Sequence, residues 1–290
     1  MNNSFNLPLF ACDCHTHVVG PRDKYPLIKN LIYLPQEANT DDITKFLSQT
    51  NLKRVVLVQP SFYGTDNSYL EHSLIELKSI ARGIAVVDSN ISNNQIDILH
   101  SAGVRGIRIN PSTFENTDIK ETEIQIQKSI KIVERNGWHI QFFLKPETII
   151  KLKNIIKDLP VNIVFDHCGF MTKTSQNSDE FKFFISLLEK GKSWIKLSAP
   201  YRLTTNGTFG EMSVLIKKLI QINPDRLLWG SDWPHTPKHN GLIAKNPKEL
   251  PYRKFDIPAR IKELSEIINE ATIFDKIMQD NPGRLYDFNT

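Results

Sequence analysis

Three short stretches hold the residues whose types and spacing could do chemistry. They are Cys12-Asp13-Cys14-His15-Thr16-His17, Phe165-Asp166-His167-Cys168-Gly169 and Gly230-Ser231-Asp232-Trp233-Pro234-His235. Successive side chains of a β-strand point to opposite faces, so His15 and His17 share one face while Cys14 and Thr16 take the other. Two imidazoles at one strand end can grip a metal ion or a substrate oxygen from the same direction. Such a pair also fits an ordinary half-buried strand, and alone it says little. Once His167 and Asp232 join it, two chemistries open. The imidazoles and the carboxylate could hold one divalent ion that acidifies a bound water. Alternatively, Asp232 could act as general base on water while His15, His17 and His167 polarise a carbonyl.

The elements that must position these residues show in the hydrophobic rhythm. After the histidine strand come short, mostly apolar runs at Val55–Val58, Ile84–Val87, Val104–Asn110 and His139–Leu144, then at Val161–Asp166, Trp194–Ser198 and Arg226–Gly230. Helical spacing fills the gaps. The first such segment places Ile43, Phe46 and Leu47 behind a cap at Thr40 or Asp41. Others run through Leu70, Leu74 and Leu77, from Ile96 to Leu99, from Glu121 to Arg135 and through Ile149, Leu152 and Ile156. The last three span Phe181–Leu188, Met212–Ile222 and Ile261–Ile268. Buried strands alternating with amphipathic helices predict parallel construction, and eight units predict a (β/α)8 TIM barrel. A doubly wound sheet would announce itself with a Gly-rich turn after its first strand, and none is present. No linker or repeat divides the chain, so residues 1–290 are expected to form one domain.

A hydrophobic fraction of 40% with 23% charged residues suits a globular chain able to bury a sizeable core. The net charge is only +4 and its basic residues are scattered. That argues against a nucleic-acid footprint and permits a small anionic substrate. Cys12 and Cys14 are poorly placed to bridge and Cys168 is distant, so all three read as reduced thiols of a cytoplasmic protein. The Met1–Asn6 start lacks the basic and apolar parts of a signal peptide, and no apolar run is long enough to span a membrane. The oligomeric state is not legible.

Catalytic residues of a parallel barrel gather at the C-terminal ends of its strands. That rule collects His15 and His17 from the first strand, Gln59 and Ser61 from the second, and Arg108 and Asn110 from the fourth. Gln141 comes from the fifth, His167 from the sixth, Ser198 and Arg202 from the seventh, and Asp232 from the eighth. Parity adds that Gly230 and Leu228 face inward with Asp232, while Leu227 and Trp229 face the helices. Arg105 points away from Arg108 and reads as structural. Cys14 alternates outward and reads as buried packing. The long segment from Val18 through Tyr25-Pro26 to Tyr33-Leu34-Pro35 reads as a lid, with Tyr33 a substrate contact.

These motifs, in this order, resemble the amidohydrolase superfamily. The carriers are Asp13-x-His15-x-His17, Asp166-His167-Cys168-Gly169, Leu197-Ser198-Ala199-Pro200-Tyr201-Arg202, Gly230 to His235 and the closing Asn281-Pro282-Gly283-Arg284-Leu285-Tyr286-Asp287-Phe288. More narrowly, the chain is similar to the amidohydrolase-2 branch that holds 2-pyrone-4,6-dicarboxylate hydrolase and related lactonases. The resemblance implies a barrel that hydrolyses an ester or amide, here the lactone of a small carboxylated substrate in aromatic-compound catabolism. His15, His17 and His167 would be metal ligands or carbonyl polarisers, and Asp232 the base. Arg108 and Arg202 would bind substrate carboxylates, with little consequence for stability when replaced. Ser61, Gln59, Gln141 and Tyr33 would complete the substrate contacts. Either no cofactor or one divalent ion, zinc or manganese, would be present.

The chain also departs from the pattern. Two-metal members carry a bridging Lys or Glu on the fourth strand and a His on the fifth, where this chain has Arg108 and Gln141. His139 shares Gln141's face but lies about 7 Å deeper by strand rise. The loop Pro111-Ser112-Thr113-Phe114-Glu115 lacks a base that the pyrone enzyme carries after its fourth strand, which points to a smaller or less charged lactone. A mononuclear metal-dependent decarboxylase of an aromatic or muconate-type acid is the second reading. A non-catalytic ligand-binding barrel is the third, and the intact Asp232 counts against it.

Of the remaining residues, Trp138, Trp194 and Trp229 read as core, and Trp233 as a wall of the pocket. His235 reads as a contact behind the site and His239 as solvated. Lys245–Lys254 reads as a solvated rim loop that could lend a cation, and His72 and His100 as helix-surface residues.

Overall fold

Eight strands pair in sequence order, each parallel to the next. They are β1 (Cys12–Thr16), β2 (Arg54–Val58), β3 (Ala81–Ala85), β4 (Val104–Ile109), β5 (His139–Phe142), β6 (Ile163–Phe165), β7 (Ser193–Ser198) and β8 (Leu227–Gly230). The computed structural model describes residues 6–111, 118–172, 175, 177–239 and 241–288. Residues 1–5 of the leader reading and Ser112–Glu115 of the loop reading lie outside that set. β8 returns to β1, where Asp232 N donates to His15 O and His17 N to Trp233 O, both at 2.8 Å. The result is a TIM barrel in a single α/β domain.

Its core has two layers. Val55, Leu57, Ile107, Phe142, Phe165, Leu197 and Trp229 face outward and pack against the helices. Val56, Val58, Ile84, Val164, Trp194 and Leu228 face inward and fill the barrel. The period-2 alternation of a strand buried on both faces explains why these segments read as continuous apolar runs. Helix ends follow local chemistry. Thr40–Thr50 starts one residue earlier than expected, because Asn39 and Asp42 form a reciprocal capping box. The segment through Leu152 is two short helices, Pro146–Lys151 and Lys153–Ile156, rather than one.

One irregularity corrects the parity argument. Between Asp13 and Thr16, β1 advances three residues while β2 advances two, from Val55 to Leu57. This bulge turns Cys14 and His15 to the same side. Cys14 therefore lies inside the barrel with Cys12, Val56 and Leu228, not on the outer face. Asp13 bridges the disturbed seam, its Oδ1 accepting from His15 N at 3.1 Å and Ser231 N at 2.9 Å.

The opposite end of the barrel is closed by the C-terminal segment. Tyr286 is fully buried among the inner residues, with Phe288 beside it. Arg82 holds the segment by donating to Tyr286 O and Asp287 O, and the guanidinium groups of Arg54 and Arg82 stack on Phe288.

Candidate active site

At the C-terminal rim the chain turns sharply just after its strands. His167, Cys168 and Phe170 after β6, Ala199 after β7 and Asp232 and His235 after β8 all have φ between 46° and 72°. Non-glycine residues rarely occupy this left-handed region, and such strain gathers where side chains must be aimed. Here it aims His167 and Asp232 at the histidines of β1. Asp232 Oδ1 lies 3.5 Å from His15 Nε2, 3.3 Å from His17 Nε2 and 3.9 Å from His167 Nε2.

Each ring is held from behind. His17 Nδ1 donates to the carbonyl of Val58 at 2.7 Å, and His167 Nδ1 meets Ser198 Oγ at 2.8 Å. His15 Nδ1 faces Asp166 Oδ1 at 3.1 Å and Lys196 Nζ at 3.4 Å. The second oxygen of Asp232 accepts from Tyr201 OH and from Arg202 Nε, the latter at 3.0 Å. Gly230 is required here, because a Cβ at that position would come within 2.7 Å of His15 Cβ.

These contacts set the charge states. Burial would raise the Asp232 carboxyl, but Arg202, His167 and the neighbouring His17 and His15 rings together hold it well below the usual range. Asp166 behaves likewise: burial is outweighed by His15, Arg108 and Lys196. Burial pushes His15 down to about 3 despite Asp166, and also drives His167 well below its ordinary value. The site at neutral pH thus holds ionised carboxylates and neutral imidazoles at His15 and His167. Lys196 is lowered by burial to about 8, with Asp166 opposing.

His15 Nε2, His167 Nε2 and Asp232 Oδ1 are buried, lack hydrogen-bond partners and lie within 4.8 Å of one another. Their separations approach the roughly 3.4 Å edge of a tetrahedron built on zinc–ligand bonds of about 2.1 Å. The residues present therefore fit one divalent ion. Among the described residues no second set exists, because Arg108 and Gln141 occupy the β4 and β5 positions and His139 sits lower, beside Tyr286.

Above this floor lies a cavity of about 240 Å³. His17, Tyr33, Ser61, Arg108, Asn110 and Arg202 line it, with Phe62, Phe143, Phe170, Lys145 and Tyr252, and among the described residues no carboxylate does. Gln59 and Gln141 do not. Gln59 turns to Asp66 O at 2.6 Å, and Gln141 is fully buried beneath the cavity, accepting from Lys196 at 2.7 Å. Both arginines already have partners in the protein. Arg108 holds Asp166 Oδ2 through Nε and Nη2 at 3.1 and 3.0 Å, and Arg202 holds Asp232.

Other expectations are revised. Trp233 stacks on Phe46 and lines a separate depression of about 550 Å³ behind the β8 loop, so it is not a wall of this cavity. His235 is buried next to Phe255 and Tyr201, one ring away from Asp232. His239 is not simply solvated: it stacks on Tyr33 with ring centroids 5.4 Å apart, at the cavity mouth. The 245–254 segment is zipped to the lid by Leu34 N to Lys248 O, Leu250 N to Leu34 O and an Arg22–Glu249 ion pair. Trp138, Trp194 and Trp229 are core.

Residue-by-residue reading passed over Asp166, Lys196 and Tyr201. The signal for Lys196 was available: it shares inward parity with Trp194 and Ser198, so a cation had to sit inside the barrel.

Comparison with known proteins agrees with this architecture. A model of the amidohydrolase family matches residues 12–288. The chain is 28% identical to 2-pyrone-4,6-dicarboxylate hydrolase of Comamonas testosteroni, over 97% of this chain and 92% of that one. It is 27% identical to 4-sulfomuconolactone hydrolase of Rhizobium radiobacter, over 98% and 92%. A solved structure from Acinetobacter baumannii, a probable 2-pyrone-4,6-dicarboxylic acid hydrolase with citric acid bound, superposes with a TM-score of 0.77 at 26% identity, covering 96% of this chain and 99% of that one. From motifs, fold and family match together, the chain belongs to the amidohydrolase-2 family.

Proposed function

We propose that this chain hydrolyses a lactone of a small carboxylated molecule, with Asp232 as general base. The observation that carries the reading is the asymmetry of Asp232. Tyr201 and Arg202 hold one oxygen, and the other faces three imidazoles below a cavity rich in cations. Asp232 Oδ1 takes a proton from water as the water oxygen attacks the lactone carbonyl. Protonated imidazole nitrogens donate to the developing oxyanion. When the ring C–O bond breaks, the proton on Asp232 passes to the departing alkoxide, which restores the base.

Arg108 and Arg202 face the cavity as orienting groups for an anionic substituent, and Asn110 Oδ1, buried without a partner, offers a further contact. The names of the two relatives denote anionic substrates, and the superposed structure holds a tricarboxylic acid. A divalent ion held by His15, His167 and Asp232 would supply Lewis-acid polarisation of the carbonyl. His17 Nε2, with Nδ1 committed to Val58, could join that set as a neutral ligand. The three buried cysteines, all unpaired, suit a reducing compartment such as the cytoplasm, and no described helix is long and apolar enough to cross a membrane.

The test is a paired assay on a panel of carboxylated lactones and of muconate-type and aromatic acids. Proton release on lactone opening supports the proposal. Carbon dioxide release without lactone opening would establish the decarboxylase instead.

A further inference from the structure

We propose that Lys145 selects substrates by charge, taking the carboxylate or sulfonate of an anionic lactone at the β5 side of the cavity while Arg108 and Arg202 orient the molecule. This rests on the lactone reading and adds the chemistry of the substituent. Three cations, Arg108, Arg202 and Lys145, line the cavity. The two arginines are already matched by buried carboxylates. Arg108 holds Asp166 Oδ2 through Nε and Nη2, and Arg202 Nε holds Asp232 Oδ2 at 3.0 Å. Lys196 lies fully buried below the floor, its Nζ 3.7 Å from Asp166 Oδ1. Lys145 pairs with no carboxylate among the described residues. A cation with its counter-charge alongside attracts an incoming anion weakly, because the partner's charge opposes it. Among the described residues, Lys145 therefore supplies the uncompensated positive charge of this rim.

The backbone at Lys145 is well defined. Pro146 follows it, and the residue before a proline is confined to extended conformations; Lys145 has φ −76° and ψ 155°. It stands two residues beyond Phe143, whose ring lies 4.9 Å from the guanidinium carbon of Arg108 and 6.0 Å from that of Arg202. The arginines thus gather at one aromatic ring, with Lys145 just past it on the same connection. Arg108 is buried and Lys145 is exposed, so the lysine meets an arriving anion first. An ammonium is a compact point charge with three donors and no preferred plane, whereas a guanidinium fork matches the flat edge of a carboxylate. Selection by Lys145 accordingly admits a tetrahedral sulfonate as readily as a planar carboxylate, and disfavours a neutral amide.

Three forms of one five-membered unsaturated lactone provide the test: the carboxymethyl acid, its sulfomethyl analogue and its neutral carboxamide. By kcat/KM, wild type should favour either acid over the amide by about 10-fold or more, the scale of one charged contact. It should treat the two acids alike to within about threefold. In Lys145→Met the preference for the acids should shrink by about 10-fold, and Lys145→Arg should retain it. Raising salt from about 0.01 to 0.1 M shortens the Debye length from about 30 to about 10 Å, which should erode the preference in wild type but not in Lys145→Met. A Lys145→Met enzyme that separates acid from amide as wild type does overturns the proposal. So does a wild-type preference of about 10-fold or more for carboxylate over sulfonate, the mark of a bidentate arginine. If no lactone opens, citrate binding decides, read by calorimetry on chelator-dialysed protein. Binding about 10-fold weaker in Lys145→Met keeps the anion-selecting role of Lys145 and removes the lactone reading, whereas equal binding removes both.

Discussion

Arg202 Nε lies 3.0 Å from Asp232 Oδ2, on the edge of the carboxylate turned away from the imidazoles. The pair leaves Oδ1, the proposed reactive oxygen, facing the imidazoles, and together with them it holds the carboxyl well below its usual range. Asp232→Asn preserves shape and removes basicity. It should bind substrate nearly normally and lose roughly 10²–10⁴ in kcat, the range for a general base. Bound metal measured on the same samples separates the two mechanisms: lost rate with lost metal indicates an ion, and lost rate with no metal in either protein indicates direct base catalysis. A near wild-type rate sinks both.

Arg108→Met and Arg202→Met should each raise KM for an anionic lactone by about 10- to 100-fold, from a lost charged hydrogen bond. Arg108→Met should also destabilise the fold by about 3–5 kcal/mol, because it leaves Asp166 buried without its main partner. Adding Asp166→Asn should recover much of that stability without restoring KM. Recovery of KM together with stability would mean that Arg108 is structural alone.

Gly230→Ala probes the seam. The added Cβ meets His15 Cβ at 2.7 Å and His15 N at 2.9 Å, backbone that cannot yield cheaply. A displacement near 1 Å at a catalytic group costs on the order of 10²-fold, so kcat should fall by about that much with far-UV circular dichroism unchanged. Full activity in the variant would show that β1 can slide at no cost to the chemistry.

Buried imidazoles set the acid stability. Burial lowers His15 and His139 to about 3 and His235 to about 4. Unfolded histidine takes up its proton near 6.5, so between about pH 6.5 and 4 the unfolded state binds more protons and stability falls as pH falls. Each such histidine contributes about 1.4 kcal/mol per pH unit. Asp13, raised by burial to about 7, acts in the opposite sense over much of the same range and offsets one of them. His139→Gln should therefore flatten the fall by about one proton, read as urea midpoints at pH 7 and pH 5. An unaltered slope would mean that native His139 titrates normally.

The barrel was legible because each strand is buried on both faces and each helix on one, which produces the alternation of apolar runs and 3.6-residue periodicity. His15, His17, His167 and Asp232 were legible because strand ends of a parallel barrel share one rim. The orientation of Cys14 was not, since a bulge leaves no mark in residue-type periodicity. Nor was the commitment of Arg108 to Asp166: a strand-end arginine reads the same whether its partner is substrate or protein. Gln141 was read as a substrate contact because nothing in the local sequence says that Lys196, two strands away, will claim its oxygen. Lys196 itself was overlooked because lysine is so seldom enclosed that its inward parity was given no weight.

Tyr286 and Phe288 close the barrel from below, yet they follow all eight strands in the chain. A barrel of eight paired strands without this segment would stand open at its base, beneath Cys12, Val56 and Trp194. Docking of Tyr286 and Phe288 is therefore what completes the inner core. A chain cut just before Tyr286 would keep all eight strands and the histidines and aspartate at their ends, but deliver a barrel without a floor.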